Sequence, residues 1–287
     1  NSWRSSSEYS ENIAHWHTTP ARQPDYSDWP VDIPPILKEA LFSLGISNLF
    51  SHQRKAWDLA SQGKNLVIST GTASGKTLCY NLPVLHQIIS DPVTTALFLF
   101  PTKALTNDQK DELQQITSKL HAQPAIGVYD GDTPSASRKQ IRECVRILLT
   151  NPDMLHTGIL PHHTNWSRFL SGLRYVVIDE MHMYRGIFGS HICNLIRRLK
   201  RIVGFYGRNL QFIMTSATIG NPIELGEKLI EQPIEIITDD GSFKGKKHFI
   251  VYNPPIQDVN LGIRKSSFSQ CLDFGEKLLQ ADIQTVV

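Results

Sequence analysis

Three observations predict an α/β fold with a doubly wound parallel sheet. Short apolar runs recur along the chain at NLVIS (65–69), ALFLF (96–100), AIGVYD (125–130), VRILLT (145–150), YVVID (175–179), LQFIMTSA (210–217) and IEIIT (234–238). Most are followed by a segment with helical apolar spacing, so strands and helices alternate. Runs without polar alternation are strands buried on both faces, as in a parallel sheet covered by helices. The third observation is STGTASGKT (69–77), a glycine- and threonine-rich turn set between such a strand and a helix. In a doubly wound sheet, ligands gather at the carboxyl ends of the strands, where this turn would lie.

Taken in order, residues 1–33 show no period and several turn formers, which predicts an irregular N-terminal arm. PPILKEALFSLG, from Pro34, has a proline start, helical spacing and a glycine stop, the marks of a helix. The helix after Lys76 should kink at Pro83, whose ring removes a hydrogen bond. Further helices are expected over KALTNDQKDELQQITSKL, around 134–143, at about 188–203 and near 222–230, with a short turn at Asp153. KGKKHFIVYNPP (244–255) reads as a small hairpin or an extended link. A helix near 262–280 followed by IQTVV would begin a second α/β unit. The domain reading is therefore an arm over 1–33, the main α/β unit over 34–254, and a linker with a truncated second unit over 255–287. With no methionine at Asn1 and a strand-like run at its end, the chain reads as a piece of something longer.

Composition narrows the class. With 287 residues, 40% hydrophobic and 20% charged, the chain has ample material for a core. A net charge of +2 means that any nucleic-acid surface must be local. Cys79, Cys144, Cys193 and Cys271 have neither C-x-x-C spacing nor a histidine at ligand spacing, so buried free thiols in a reducing, cytoplasmic compartment are expected rather than disulfides or zinc. No apolar run reaches about 18 residues, and the start has no signal-peptide pattern.

The loop carries the chemistry. Gly71 and Gly75 allow positive φ and close approach to an anion, and the following helix N-terminus favours phosphate. Thr70, Gly71, Thr72, Ala73, Ser74, Gly75, Lys76 and Thr77 are the candidate nucleotide cradle. Lys76 would reach the outer phosphates and Thr77 would help hold magnesium. Thr70 stands where the usual phosphate loop has glycine, and a plain surface turn is the alternative. Asp179 and Glu180 emerge from YVVIDEMH (175–182) at a strand end. Asp179 would bind magnesium through a water, and Glu180 would orient or deprotonate the attacking water, with Lys76 completing the catalytic set. A carboxylate pair that merely caps the next loop is the bland reading.

STGTASGKT, PTKAL (101–105), IDEMH (178–182) and TSAT (215–218) together resemble, in order and spacing, the first RecA-like P-loop motor domain of superfamily two DExH-box helicases. The resemblance covers roughly Pro34 to Asp240, and many members of that superfamily also lack the leading loop glycine. It implies ATP and magnesium as cofactors, Gln53 as reader of adenine, and Ser216 and Thr218 as residues coupling nucleotide state to domain closure, with His182 linking the carboxylates to them. It also implies nucleic-acid contacts at Thr102, Lys103, Gly131, Thr150 and Asn151, with Asp132 fixing its loop. PTKAL, DEMH, YDGDTP, LLTNPDMLH and YRGIFGSH look like the bacterial and fungal DExH DNA helicases that include a mitomycin-repair helicase and RecQ-like relatives. The implied activity is ATP-driven 3′-to-5′ translocation on single-stranded or partly duplex DNA in DNA repair, with an arginine finger from a second RecA-like domain. An isolated fragment would then be weakly active or inactive, and nucleoid-associated in a bacterium. Met181 departs from the alanine common in relatives but leaves the carboxylates alone. An RNA helicase and a nucleotide-sensing clamp without productive hydrolysis are the alternatives. RRLKR (197–201) favours a solvated helix face, and KGKKH (244–248) is even between nucleic-acid contact and protection of a strand edge.

Overall fold

The computed structural model describes residues 7–286. Its main sheet is formed by β1 (Leu66–Ser69), β2 (Thr95–Leu99), β3 (Ile126–Tyr129), β4 (Ile147–Thr150), β5 (Leu173–Ile178), β6 (Gln211–Ser216) and β7 (Glu235–Ile237). The spatial order is β7-β1-β6-β5-β2-β4-β3, and every neighbouring pair is parallel. The doubly wound α/β reading of the sequence is therefore observed.

Register decides where chemistry can gather. Ser69 lies opposite Ser216, Met214 opposite Ile178, and Leu99 opposite both Ile178 and Thr150. The carboxyl ends of β1, β6, β5, β2 and β4 thus share one edge. Along β2, Phe98 enters one core while Leu97 and Leu99 enter the other. The first core packs Trp57, Leu82 and Leu85 against Leu149 and Val177. The second packs Ile192, Leu195, Ile196, Leu199, Trp166 and Phe169 against Val176 and Phe212. Each such side chain contributes about 1.5–3 kcal/mol by leaving water, so both faces hold the edge rigid. At the opposite edge, the Arg146 guanidinium donates to the carbonyls of Ile88, Asp91 and Thr94, joining the helix before β2 to the strand itself.

The helix Lys76–Ser90 continues through Pro83, which costs a backbone hydrogen bond and sits among buried neighbours. Several expectations change. In place of a short turn at Asp153, the chain makes helical segments of changing pitch: Pro152–Met154, the π-helical Leu155–Ile159, the 3-10 stretch Leu160–Trp166 and the α-helix Ser167–Gly172. Pro161 and the polar HHTN run interrupt the apolar spacing, and tertiary burial of Leu155, Ile159, Leu160 and Trp166 overrides that local break. Of the four cysteines expected to be buried, only Cys79 is; Cys144 and Cys271 are exposed and Cys193 is intermediate.

The chain divides into two compact units, Pro24–Ser242 and a smaller one that joins the residues through Gln23 to those from Phe243 onward. Residues 24–33 belong with the larger unit because Tyr26–Ser27 pairs with Leu49–Phe50, and the Tyr26 and Phe50 rings stack at 5.4 Å. In the smaller unit, the expected irregular arm contains a strand, Ile13–Thr19, paired antiparallel with Lys247–Tyr252. Residues 1–6 of that arm lie outside the described residues. KGKKHFIVYNPP therefore supplies a strand whose partner comes from the far end of the sequence, instead of a local hairpin. The helix Ser267–Gln280 is present, but residues 281–286 form no strand, and the last residue of IQTVV lies outside the described residues. Among the described residues, no helix is long and apolar enough to cross a membrane.

Gly172 packs tightly against the backbone that leads into β2: a Cβ there would lie 2.2 Å from the Val93 carbonyl oxygen. Gly172→Ala is expected to lower folding stability by about 1–3 kcal/mol, read as a reduced denaturation midpoint at unchanged slope.

Candidate functional site

The turn from Thr70 to Gly75 connects β1 to the helix Lys76–Ser90, whose first backbone N–H groups have no intrahelical acceptor and face the turn. Gly75 adopts φ +76°, and a Cβ on it would stand 2.7 Å from Gln53 Nε2. The cradle therefore needs glycine at this position. Thr70 takes the place of the leading glycine at no visible cost, since its hydroxyl is 2.7 Å from that of Ser74 and braces the loop internally. Ala73 is held at φ 55°, in the left-handed region, while Thr72 is exposed. Lys76 Nζ donates to the carbonyls of Thr70 at 3.0 Å, Gly71 at 3.2 Å and Ser216 at 3.3 Å. The ammonium is thus centred between the loop and the end of β6.

Gln53 is buried and both ends of its amide are engaged: Nε2 donates to Gly75 O at 3.0 Å, and Oε1 accepts the Phe50 N–H at 2.9 Å. His52, which the sequence reading passed over, sets the same loop. The Gly241 N–H donates to its Nδ1 at 3.1 Å, so Nε2 carries the proton and donates to Ser74 O at 3.0 Å. The only sequence signal was its position beside Gln53.

At the end of β5, the Asp179 N–H donates to Leu99 O at 3.0 Å, which aims the carboxylate over the edge. Asp179 Oδ1 accepts from the Thr215 hydroxyl and, at 3.0 Å, from the Glu180 N–H. Burial raises the Asp179 pKa, against the opposing pull of the Thr215 and Glu180 hydrogen bonds and of Lys76 and His182. Glu180 adopts φ 51°, a conformation unusual for a residue with a Cβ and typical of functional strand ends. Its Oε2 is buried, and His182 Nδ1 lies 3.0 Å away. That nitrogen already accepts the Ala217 N–H at 3.2 Å, so while neutral it cannot also donate to Glu180. One Glu180 oxygen consequently has no donor among the described residues.

The TSAT segment divides its work differently from the expectation. Thr215, not singled out in the sequence, is buried and meets both Asp179 and the Glu180 N–H. Ser216 contributes its carbonyl to Lys76, while Thr218 is exposed, with no hydrogen bond among the described residues. Inward placement of Thr215 follows from its pairing on β6, which residue type alone does not reveal. A further unread pair lies on the helix Lys103–Thr117. Tyr80 donates its hydroxyl to Gln109 at 2.7 Å, and Gln109 donates to Glu112 at 3.3 Å. Burial raises the Glu112 pKa, with Asp179 adding to it and Gln109 and Thr77 opposing it.

These residues fit a magnesium nucleoside triphosphate. The glycine-lined cradle and Lys76 suit phosphate, and the hard oxygens of Thr77 and Asp179 suit magnesium. Glu180 supplies a carboxylate oxygen with unused acceptor capacity.

On the same edge, Thr102 caps the helix Lys103–Thr117. Lys103 reaches Asp132 at 2.6 Å and so ties the turn after β2 to the turn after β3, with exposed Gly131 beside it. Within the loop it is Asp130 that accepts from the Asp132 N–H at 3.0 Å and the Thr133 hydroxyl at 3.1 Å. Asn151 Oδ1 accepts the Met154 N–H at 2.8 Å. Thr150 differs from the expectation: it is fully buried and its hydroxyl donates to Tyr129 O, so its side chain is committed to the sheet.

Known proteins resemble this chain in sequence and fold. The DEAD/DEAH box helicase family matches residues 50–225. The ATP-dependent helicase YprA of Bacillus subtilis is 48% identical over 277 residues, covering 96% of this chain and 37% of the relative. The ATP-dependent helicase HRQ1 of Saccharomyces cerevisiae is 37% identical over 283 residues, covering 97% of this chain and 26% of the relative. A crystal structure of the DUF1998 helicase MrfA bound to DNA superposes with a TM-score of 0.93 at 47% identity, over 95% of this chain and 36% of that one. A second MrfA structure, bound to DNA and AMPPNP, gives a TM-score of 0.90 at 48% identity, over 93% of this chain and 37% of that one. The chain thus spans about a third of the length of these relatives.

Burial of Asp179 has a consequence for stability. Because its folded pKa is raised, its neutral form favours the folded state. That contribution is complete below the unfolded value of about 3.9 and is lost as pH rises through the folded value. Asp179→Asn, neutral throughout, is expected to raise the melting temperature near pH 7 without divalent cation by about 2–4 °C, the shift that ~1 kcal/mol gives in a domain of this size. The gain should vanish below about pH 4, as checked by thermal melts across pH.

Proposed function

The chain belongs to the DEAD/DEAH box helicase family, and we propose that it is the ATP-binding motor domain of an ATP-dependent DNA helicase. Hydrolysis is coupled to 3′-to-5′ translocation on single-stranded DNA, in the service of DNA repair. The observation that carries this reading is the shared edge on which Lys76, Asp179, Glu180 and Thr215 meet, beside Thr102, Lys103, Gly131 and Asn151. The DNA-bound structures of MrfA support DNA over RNA as the substrate.

Each residue then has a task. Gly71 through Gly75 and the following helix N-terminus bind the phosphates, and Lys76 neutralises their charge. Gln53 holds the loop and reads adenine. Thr77 and Asp179 would hold magnesium, which would supply charge neutralisation at the reacting phosphate. Glu180 orients the attacking water and accepts its proton at its carboxylate. His182 and Thr215, with Ser216 and Thr218, connect this event to domain closure. Residues 255–287 lead into a second RecA-like domain that supplies the arginine finger. The isolated chain is therefore weakly active, and the whole protein works in the cytoplasm, on the nucleoid if bacterial.

Steady-state ATPase of the full-length protein tests the reading. Single-stranded DNA is expected to stimulate turnover more than single-stranded RNA, and Lys76→Ala should abolish the stimulation. Equal or RNA-biased stimulation would contradict the DNA assignment. Thr215→Val is expected to lower kcat by roughly 10–100-fold, the usual effect of losing a partner that orients a metal ligand, with little change in KM.

A further inference from the structure

The cationic face of the helix Gly186–Phe205 borders a concavity. A groove of about 830 Å³ lies between this helix and the segment Pro152–His156. Ile192, Leu195, Ile196 and Leu199 turn inward to the core, which directs the intervening RRLKR cations toward the groove. Two of those cations are engaged: Arg197 pairs with Glu231 at 2.6 Å, and Lys200 donates to Ile230 O at 2.7 Å. Arg198 and Arg201 have no hydrogen bond or ion pair among the described residues, although Arg198 is half-buried in the groove wall. Opposing charge comes only from Asp153 and the already paired Glu231. A guanidinium that is partly removed from water and left unpaired is poised for an anion.

Aromatic rings share the groove with these cations. Phe188, at 45% exposure, and His191 line it toward the start of the helix, ahead of the RRLKR run, and His156 lines it from the facing segment. Cations together with flat rings form a surface for unpaired nucleic acid, where phosphates meet the arginines and bases stack on the rings. An acidic peptide would use the charge but not the rings. Location strengthens the case. The groove wall includes Pro152 and Asp153, directly after Asn151 on the strand-end edge. The rest of its lining comes mainly from the helix Gly186–Phe205, so it offers a strand a path apart from the one across the strand ends.

We propose that this groove receives the displaced single strand of an opened DNA duplex, through Arg198, Arg201 and Phe188, while the tracked strand follows the strand-end edge. The inference rests on the DNA-helicase reading above and adds a second strand path to it. RRLKR then works as more than a solvated face.

The test compares binding of the full-length protein to a forked duplex with two single-stranded arms and to a tailed duplex with one arm. Wild type is expected to bind the fork on the order of tenfold more tightly, as one or two stacked bases would give. R198E/R201E should remove that advantage and lower the salt slope for the fork by about 2, one for each lost phosphate contact. Affinity for the tailed duplex and single-strand-stimulated ATPase should be retained, which also reports intact folding. The milder R198Q/R201Q should act in the same direction, and F188A should reduce the fork advantage without altering the salt slope. A fork advantage that survives R198E/R201E and R198Q/R201Q overturns the proposal, as does equal loss of tailed-duplex binding and ATPase in a folded variant. DNA-stimulated ATPase in wild type without a fork advantage defeats this inference alone. Absence of DNA-stimulated ATPase in wild type defeats the underlying functional reading.

Discussion

Parallel register between β1, β6 and β5 is the constraint on which the site depends. With Ser69 opposite Ser216 and Met214 opposite Ile178, three strands end almost flush. The turn after β1 then holds Lys76 against the carbonyl of Ser216, and the turn after β5 places Asp179 against the hydroxyl of Thr215. A slip of one residue would exchange the two faces of a strand and part Lys76 from the carboxylates. Burial on both faces of the sheet prevents such a slip, because Val67 and Ile68 belong to different cores. The hydrophobic pattern thus has a chemical role: it fixes the spacing of groups that carry charge.

The same edge explains how two ligands can communicate across the domain. β6 carries Thr215 and Ser216 and the turn after β5 carries Asp179, while Thr102 caps the helix after β2 and Lys103 begins it. That helix also bears Gln109 and Glu112, which connect through Tyr80 to the neighbourhood of Thr77. A shift of the helix on a nucleic-acid strand would therefore be felt beside the phosphate cradle, through the buried Tyr80.

Much of this was legible because it depends on local chemistry. Every strand of the main sheet was marked by an apolar run, and the loop was readable from Gly71, Gly75, Lys76 and Thr77 without its leading glycine. What escaped depends on distant partners. The strand Ile13–Thr19 alternates polar and apolar residues weakly, and its partner begins at Lys247, so no local window reveals it. Thr215 and Thr218 are the same residue type three positions apart, and only pairing on β6 buries the first and exposes the second. Thr150 carried a motif resemblance, yet its hydroxyl is spent on Tyr129 inside the sheet. His52 and Glu112 lie on helices whose packing against the loop is a tertiary fact.

The central claim is that nucleotide and nucleic acid bind to one mechanically shared edge. Linkage tests it most directly: the affinity of the full-length protein for a non-hydrolysable ATP analogue, measured with and without saturating single-stranded DNA. The expected result is a change in analogue affinity, matched by the same factor in DNA affinity when the analogue is saturating, since coupling between sites is reciprocal. Identical analogue affinities with and without DNA would contradict the account.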